Sequence, residues 1–337
     1  MKQRIFDFEE EKLLEEILRR NAKRVLLQFP EGLKPESPRI AILLQKAGVQ
    51  AIISADPCYG ACDLPLMEAK DLNVDLIVHF GHTEFMKQTI LQTLYVEVRA
   101  KIPLKGVVRK ALPYLKGYER IGLATIIQHI QMLDDVKNML LKAGKNVVVG
   151  DSGKLEYTGQ VTGCNYSNVK ATQNDVDAFL FFGGGKFHAL GVALATGKPV
   201  IAVDPYMGRV FCMDREARKI VKQRWASIQE AKKATLFGVL IGLKHGQKRL
   251  TEALHAKEKL EKHGKRVVVL AIHEFTPEAC MQFPTIDVFV NTACPRLSLD
   301  DAARFRKPVL SYSEILVLLG EKGWDQLCKK GFLENGT

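Results

Sequence analysis

Short runs of aliphatic and β-branched residues alternate with helix-length amphipathic segments along the whole chain. That alternation is the pattern of parallel strands joined by helical crossovers. A first cycle predicts strands near Arg24–Phe29, Val49–Ala55, Val74–His79 and Thr93–Val98, with a helix near Glu36–Ala47. A second predicts strands near Arg120–Thr125, Asn146–Gly150, Val176–Phe182 and Pro199–Val203, with Gln131–Ala143 as its first crossover helix. A third predicts strands near Leu236–Ile241, Arg266–Ile272, Asp287–Asn291 and Pro308–Ser311.

The cycles share content as well as spacing. Their third strands read VDLIVHFGH, VDAFLFFGGG and IDVFVNTAC, and two fourth strands open KPVIAV and KPVLSY. Asp75, Asp177 and Asp287 thus precede the three third strands, roughly 100–110 residues apart, the size of a small domain. The expected fold is α/β, with three related domains, each a small parallel sheet with crossover helices. Boundaries are expected at 1–102, 103–210 and 211–337, the last domain opening on a basic connecting helix, Arg215–Lys233. Two unrelated doubly wound domains with coincidental Asp-hydrophobic runs are the alternative.

Composition narrows the class. The chain has 337 residues, 47% hydrophobic and 26% charged, which excludes a disordered or fibrous protein. No stretch approaches the roughly 18 uninterrupted apolar residues that cross a bilayer, so no membrane association is expected. A net charge of +11 favours an acidic partner. Seven cysteines is an odd number, and the run Phe6–Arg20 is acidic and amphipathic rather than a secretion signal. A cytoplasmic protein with free or metal-bound thiols is expected.

Ligands of open α/β sheets collect beyond the carboxyl ends of the strands. Three cysteines fall there: Cys62 in DPCYGACD, Cys164 in TGQVTGCN and Cys294 in NTACPR. Each has small or turn-forming neighbours that let a bulky group approach the backbone. Thiolates are soft ligands for iron–sulfur clusters, zinc or copper, and one from each of three domains would leave a cluster with an open position. Spacing alone does not separate such ligands from small buried hydrophobes, because the chain lacks a CxxC pair. Cys58 forms a C-x3-C pair with Cys62 and reads as a second ligand, a resolving thiol or a packing residue, the last preferred. Cys212, Cys280 and Cys328 lie in or beside helical segments and read as ordinary thiols.

YGACD at Tyr59–Asp63, GQVTGCN at Gly159–Asn165 and VNTACPRLSLDD at Val290–Asp301 together resemble the three cysteine motifs of the diphthamide-synthesis enzymes. The resemblance covers nearly the whole chain and is closest to the archaeal single-chain form. It implies a 4Fe-4S cluster held centrally by Cys62, Cys164 and Cys294, one from each domain. It implies cleavage of S-adenosylmethionine to a 3-amino-3-carboxypropyl radical, and its transfer to a histidine of translation elongation factor 2. A homodimer and a reductant are implied as partners, with no direct nucleic acid.

Several residues are candidates for holding S-adenosylmethionine. Gly183, Gly184 and Gly185 offer unobstructed amides before a helix expected to start at Lys186, with His188 just beyond. Lys244, Gly246 and Gln247 in GLKHGQ form a comparable loop. Arg296 and Asp300, with Asp301, could position substrate, take a proton or form an ion pair, and His79 and His82 could line the cavity. The alternative function is a basic three-domain module that binds RNA or a translation factor, using RKIVKQR at Arg218–Arg224 and KHGQKR at Lys244–Arg249. A third reading, a zinc- or thiol-dependent hydrolase using Cys58 and Cys62, lacks a His/Cys run of zinc spacing.

Overall fold

The structure is a computed structural model that describes residues 4–87 and 90–333. A short strand β1 (Phe6–Asp7) leads through the helix Glu10–Arg19 into the first sheet. Its strands are β2 (Arg24–Gln28), β3 (Gln50–Ile53), β4 (Leu76–Phe80) and β5 (Thr93–Val96), all parallel in the order β3-β2-β4-β5. Strand β6 (Arg99–Ala100) returns to pair antiparallel with β1. The second sheet contains β7 (Arg120–Thr125), β8 (Asn146–Val148), β9 (Ala178–Phe182), β10 (Val200–Asp204) and β11 (Arg209–Cys212), ordered β8-β7-β9-β10-β11. The third contains β12 (Leu236–Gly242), β13 (Arg266–Ile272), β14 (Val288–Asn291) and β15 (Val309–Ser311), ordered β13-β12-β14-β15.

One strand order therefore recurs three times: second, first, third, fourth. Such an order switches direction between the first and third strands, which opens a crevice at their carboxyl ends. Parallel strands need both faces covered, so β4, β9 and β14 are buried at every position. Leu27, Val78 and Phe80 face one core of the first sheet while Leu26 and Ile77 face another. The same division places Phe179 and Phe181 of β9 opposite Leu180 and Phe182.

The aspartate before each third strand has one job in all three sheets. Asp75 accepts the N–H groups of Lys23 and Arg24, each at 2.8 Å. Asp177 accepts those of Glu119 at 3.0 Å and Arg120 at 2.8 Å, and Asp287 those of Thr235 and Leu236, both at 2.9 Å. A carboxylate thus ties the start of the third strand to the start of the first and sets their register. The bonded N–H groups hold all three carboxyls below the ordinary range, that of Asp177 at about 2, with the backbone N–H of Arg120 as the main cause.

Besides the antiparallel pair of β1 and β6, two features lie outside the predicted pattern. Strand β11 is antiparallel on the edge of the second sheet, where a short return after Asp204 pairs Val203 with Val210. The connecting helix spans Asp214–Ala231, and its Arg224 is fully buried rather than open to a partner. Arg224 donates to both carboxylate oxygens of Glu314 at 2.7 Å and to the Val309 carbonyl at 2.7 Å. That removes Arg224 from the phosphate-contact set. Among the described residues no helix is long and apolar enough to cross a membrane, and all seven cysteines are free thiols.

Two outcomes are expected. Arg224→Leu leaves the buried Glu314 carboxyl without its partner, which costs about 3–5 kcal/mol in denaturant unfolding. Asp177→Ala lowers the melting temperature at neutral pH. Because the folded carboxyl ionises at about 2, its contribution is full above the unfolded value of about 3.9 and fades below it, so the deficit shrinks between those pH values.

Candidate functional site

Cys62 lies in the loop after β3, Cys164 in the loop after β8 and Cys294 directly after β14. The three carboxyl edges face one another, and the loops interlock through specific close contacts. Gly246, just past β12, donates its N–H to the Cys62 carbonyl at 2.8 Å. A Cβ on Gly246 would stand 2.6 Å from Cys62 Cα and Cβ, so only glycine permits this approach. Gln247 Nε2 donates to Cys62 Sγ at 3.5 Å. Lys244 pairs with Asp63 at 2.8 Å and sits 4.1 Å from the centroid of the Tyr59 ring. Tyr59 in turn donates to the Glu274 carboxylate. Together these contacts seat the first sheet's loop on the third sheet.

Arg296 joins the third sheet to the second. It is buried in the first turn of the helix Pro295–Leu299, forms a two-point pair with Asp300, and donates to the Phe187 carbonyl at 2.8 Å. Its guanidinium lies 3.7 Å from the Phe187 ring centroid, and Tyr166 Oη is 3.5 Å away. Gly191, in the middle of the helix Phe187–Thr196, makes room for this group: a Cβ there would meet Tyr166 Oη at 1.9 Å. Asp301 pairs instead with Arg304 at 3.2 Å. Between the first and second sheets, Gln128 donates to the Gly81 carbonyl at 2.5 Å and Gln160 to Thr83 at 3.1 Å.

The three thiols sense one another. Burial pushes the Cys62 thiol up to about 12, with Cys164 and Cys294 adding to the rise and the Gln247 amide opposing it. Burial and then Cys294 raise the Cys164 thiol, against Thr162, Arg249 and Arg296. Burial raises Cys294 as well, while the Arg296 and Leu297 backbone N–H groups and the Arg296 side chain favour its thiolate. Three adjacent, partly buried thiols whose ionisation is penalised make a donor set that a positively charged centre would satisfy. They are not among the donor groups gathered within 4.8 Å. Sulfurs on a single tetrahedral ion, with metal–sulfur bonds near 2.3 Å, stand about 3.8 Å apart, closer than at least one pair of the triad.

The glycine run lies between β9 and the helix Phe187–Thr196. Two of its three amides are already used: Gly183 donates to the Val203 carbonyl at 3.0 Å and Gly185 to Asp204 at 2.8 Å. Gly184 is the one whose N–H has no such bond among the described residues. His188 stacks on Phe181 and faces Arg296 and His82; burial first, then those neighbours, lowers it to about 3. Burial alone lowers His82 to about 4 and places His79 well below its usual value, with His82 adding to the effect on His79. All three rings are therefore neutral near pH 7.

His79 lies within β4 rather than beyond it, and it is fully buried. It brings Cys58 and His82 together with itself, a group the sequence did not suggest because its members are up to 24 residues apart and no local spacing marks them. Thr162, Tyr166 and Arg249 also border the cysteines; Tyr166 carried no motif signal, and Arg249 stood out only as part of a charge run.

A family model of diphthamide synthesis proteins matches residues 29–328. A 2-(3-amino-3-carboxypropyl)histidine synthase from Pyrococcus horikoshii is 36% identical over 310 residues, covering 91% of this chain and 89% of its own. Subunit 1 of the synthase of that name from Saccharomyces cerevisiae is 32% identical, over 93% of this chain and 75% of its own. The crystal structure of Dph2 from Pyrococcus horikoshii with a 4Fe-4S cluster is similar at a TM-score of 0.88 and 33% identity, covering 99% of this chain and 96% of that one.

Gly246→Ala tests the contact that seats Cys62. The added methyl must displace the Cys62 loop, so a thiol reagent should alkylate Cys62 in the metal-free protein several-fold faster than in the parent. An unchanged rate would show that the loop is held elsewhere.

Proposed function

The chain belongs to the diphthamide synthesis protein family, and from that premise we propose that it is a single-chain 2-(3-amino-3-carboxypropyl)histidine synthase. The proposed reaction moves the 3-amino-3-carboxypropyl group of S-adenosylmethionine to the imidazole carbon between the two nitrogens of a histidine in translation elongation factor 2. This is the first step toward diphthamide. The observation that carries the reading is the meeting of Cys62, Cys164 and Cys294 from three sheet edges. These residues would hold a 4Fe-4S cluster with one iron free of protein ligands, which would supply the electron that cleaves the sulfonium to a 3-amino-3-carboxypropyl radical.

The remaining residues orient and insulate. Gln247 and the Arg296 and Leu297 amides fix the Cys62 and Cys294 sulfurs, while Thr162 and Arg249 favour the Cys164 thiolate. His82 and His188 stay uncharged, and Asp300 and Asp63 balance Arg296 and Lys244, so little net positive charge faces a bound sulfonium. The Gly184 amide is open to a carboxylate or ribose oxygen of S-adenosylmethionine. The excess of basic residues suits the docking of an acidic protein surface, which would weaken as salt rises. A homodimer, a separate reductant and a cytoplasmic setting complete the proposal.

Anaerobic reconstitution followed by iron and sulfide analysis tests it. Binding of about four irons per chain is expected, abolished by Cys62→Ala, Cys164→Ala or Cys294→Ala. With reductant, S-adenosylmethionine and elongation factor 2, one factor histidine should gain the aminocarboxypropyl mass. Protein that takes up no iron, or adenosylated product, would overturn the reading.

A further inference from the structure

Cys58, His79 and His82 offer one sulfur and two nitrogens that lie within 4.8 Å of one another. They come from the loop after β3, from β4 and from the loop after β4, and the cysteine triad uses none of them. We propose that they form a second, mononuclear metal site for a borderline-soft divalent cation, zinc(II) foremost.

The histidine pair has the geometry of ligands. His79 Nε2 and His82 Nδ1 are 3.0 Å apart. Two nitrogens on one tetrahedral zinc, at metal–nitrogen distances near 2.0–2.1 Å, stand about 3.3 Å apart, so an ion enters with a shift of a few tenths of an ångström. The lone pair of His79 is directed by its surroundings. Gln28 Nε2 donates to the Asp63 carbonyl at 2.6 Å, which can only accept, and this leaves Gln28 Oε1 to take the His79 Nδ1–H at 2.7 Å. His79 Nε2 is then unprotonated and aimed at the other two donors. A ring N–H held by an amide or carboxylate oxygen is the usual support of a metal-binding histidine.

Cys58 supplies the anion. Its thiol is buried and carries its proton as long as no cation is near; binding would release that one proton to solvent, while His79 already presents a bare Nε2 and His82 need only move its proton from Nδ1 to Nε2. Lys34 braces the loop by donating to the Ala55 and Asp56 carbonyls at 3.0 and 2.8 Å. His82 is the partly exposed member and gives the ion its way in, with solvent left to complete the tetrahedron. The site adjoins the cysteine triad without sharing a ligand: the Cβ position of Gly60 is 3.8 Å from His82 Nε2 and 3.9 Å from Cys62 Sγ. A metal here would lock the Cys58–Cys62 loop onto β4.

The test is titration of the anaerobically reconstituted protein with cobalt(II), followed by zinc(II) as competitor. One cobalt per chain is expected, with a thiolate-to-cobalt charge-transfer band and tetrahedral ligand-field bands that zinc abolishes. Cys58→Ser should remove the charge-transfer band, and His82→Asn should weaken zinc binding by at least about 10–100-fold. Iron and sulfide, measured on the same samples, should remain at the parent level in Cys58→Ser, which separates this proposal from the fate of the cluster. No cobalt bound beyond the iron content, a band that persists in Cys58→Ser, or loss of iron in that variant would overturn it. Far-UV dichroism of both variants, unchanged from the parent, makes a lost band attributable to the ligand.

Discussion

Three thiols carried on three parallel sheets can meet only if the carboxyl edges of all three sheets face one another. Parallel strands all point one way, so every unit must present the same end inward, and the residues found there are loop residues with polar backbones to satisfy. The interlocking contacts meet that demand. The Gly246 amide and Gln247 side chain serve the Cys62 loop, Gln128 serves the Gly81 carbonyl, and Arg296 serves the Phe187 carbonyl. Without such bonds, desolvating these loops would be unfavourable by more than the thiols' proximity could offset.

The recurrence of strand pattern and of Asp75, Asp177 and Asp287 made the sheets legible, because hydrophobic periodicity is local and the aspartate is a fixed point in it. What the pattern did not indicate was the aspartate's purpose, which depends on a strand start some 50 residues earlier. Strand β11 also escaped notice: Arg209–Cys212 is four residues long and half exposed, and only its pairing with β10 makes it a strand. The connecting helix was visible as a basic segment, yet the burial of Arg224 was not, since Glu314 lies 90 residues further along.

In the candidate site, sequence position after a strand singled out the cysteines, and the motif resemblance separated Cys62 from Cys58. Side-chain partnerships were beyond it. Gly246 stood in a loop read as a candidate ligand holder, but its value is the absence of a Cβ against Cys62; Gly191 sits mid-helix, where glycine ordinarily weakens the structure, and admits Tyr166 and Arg296. The Gly183–Gly185 run read as three available amides, and the fold itself occupies two of them. Cys58 and His79 are distant in sequence and adjacent in space, an arrangement that only the β3–β2–β4 register produces.

The spread of the cysteine triad along the chain bears on how the protein is made. Each sheet is built from consecutive segments and is free to form as its stretch emerges during synthesis. The triad is not: Cys62 waits until the loop around Gly246 and then Cys294 have been synthesised, about two thirds of the chain later. Through that interval Cys62 and Cys164 stand on finished or half-finished edges without the neighbours that cover them. The nascent protein therefore passes through a stage in which these two thiols lack the cover of the third sheet, and any centre that needed all three could be completed only once Cys294 has been made.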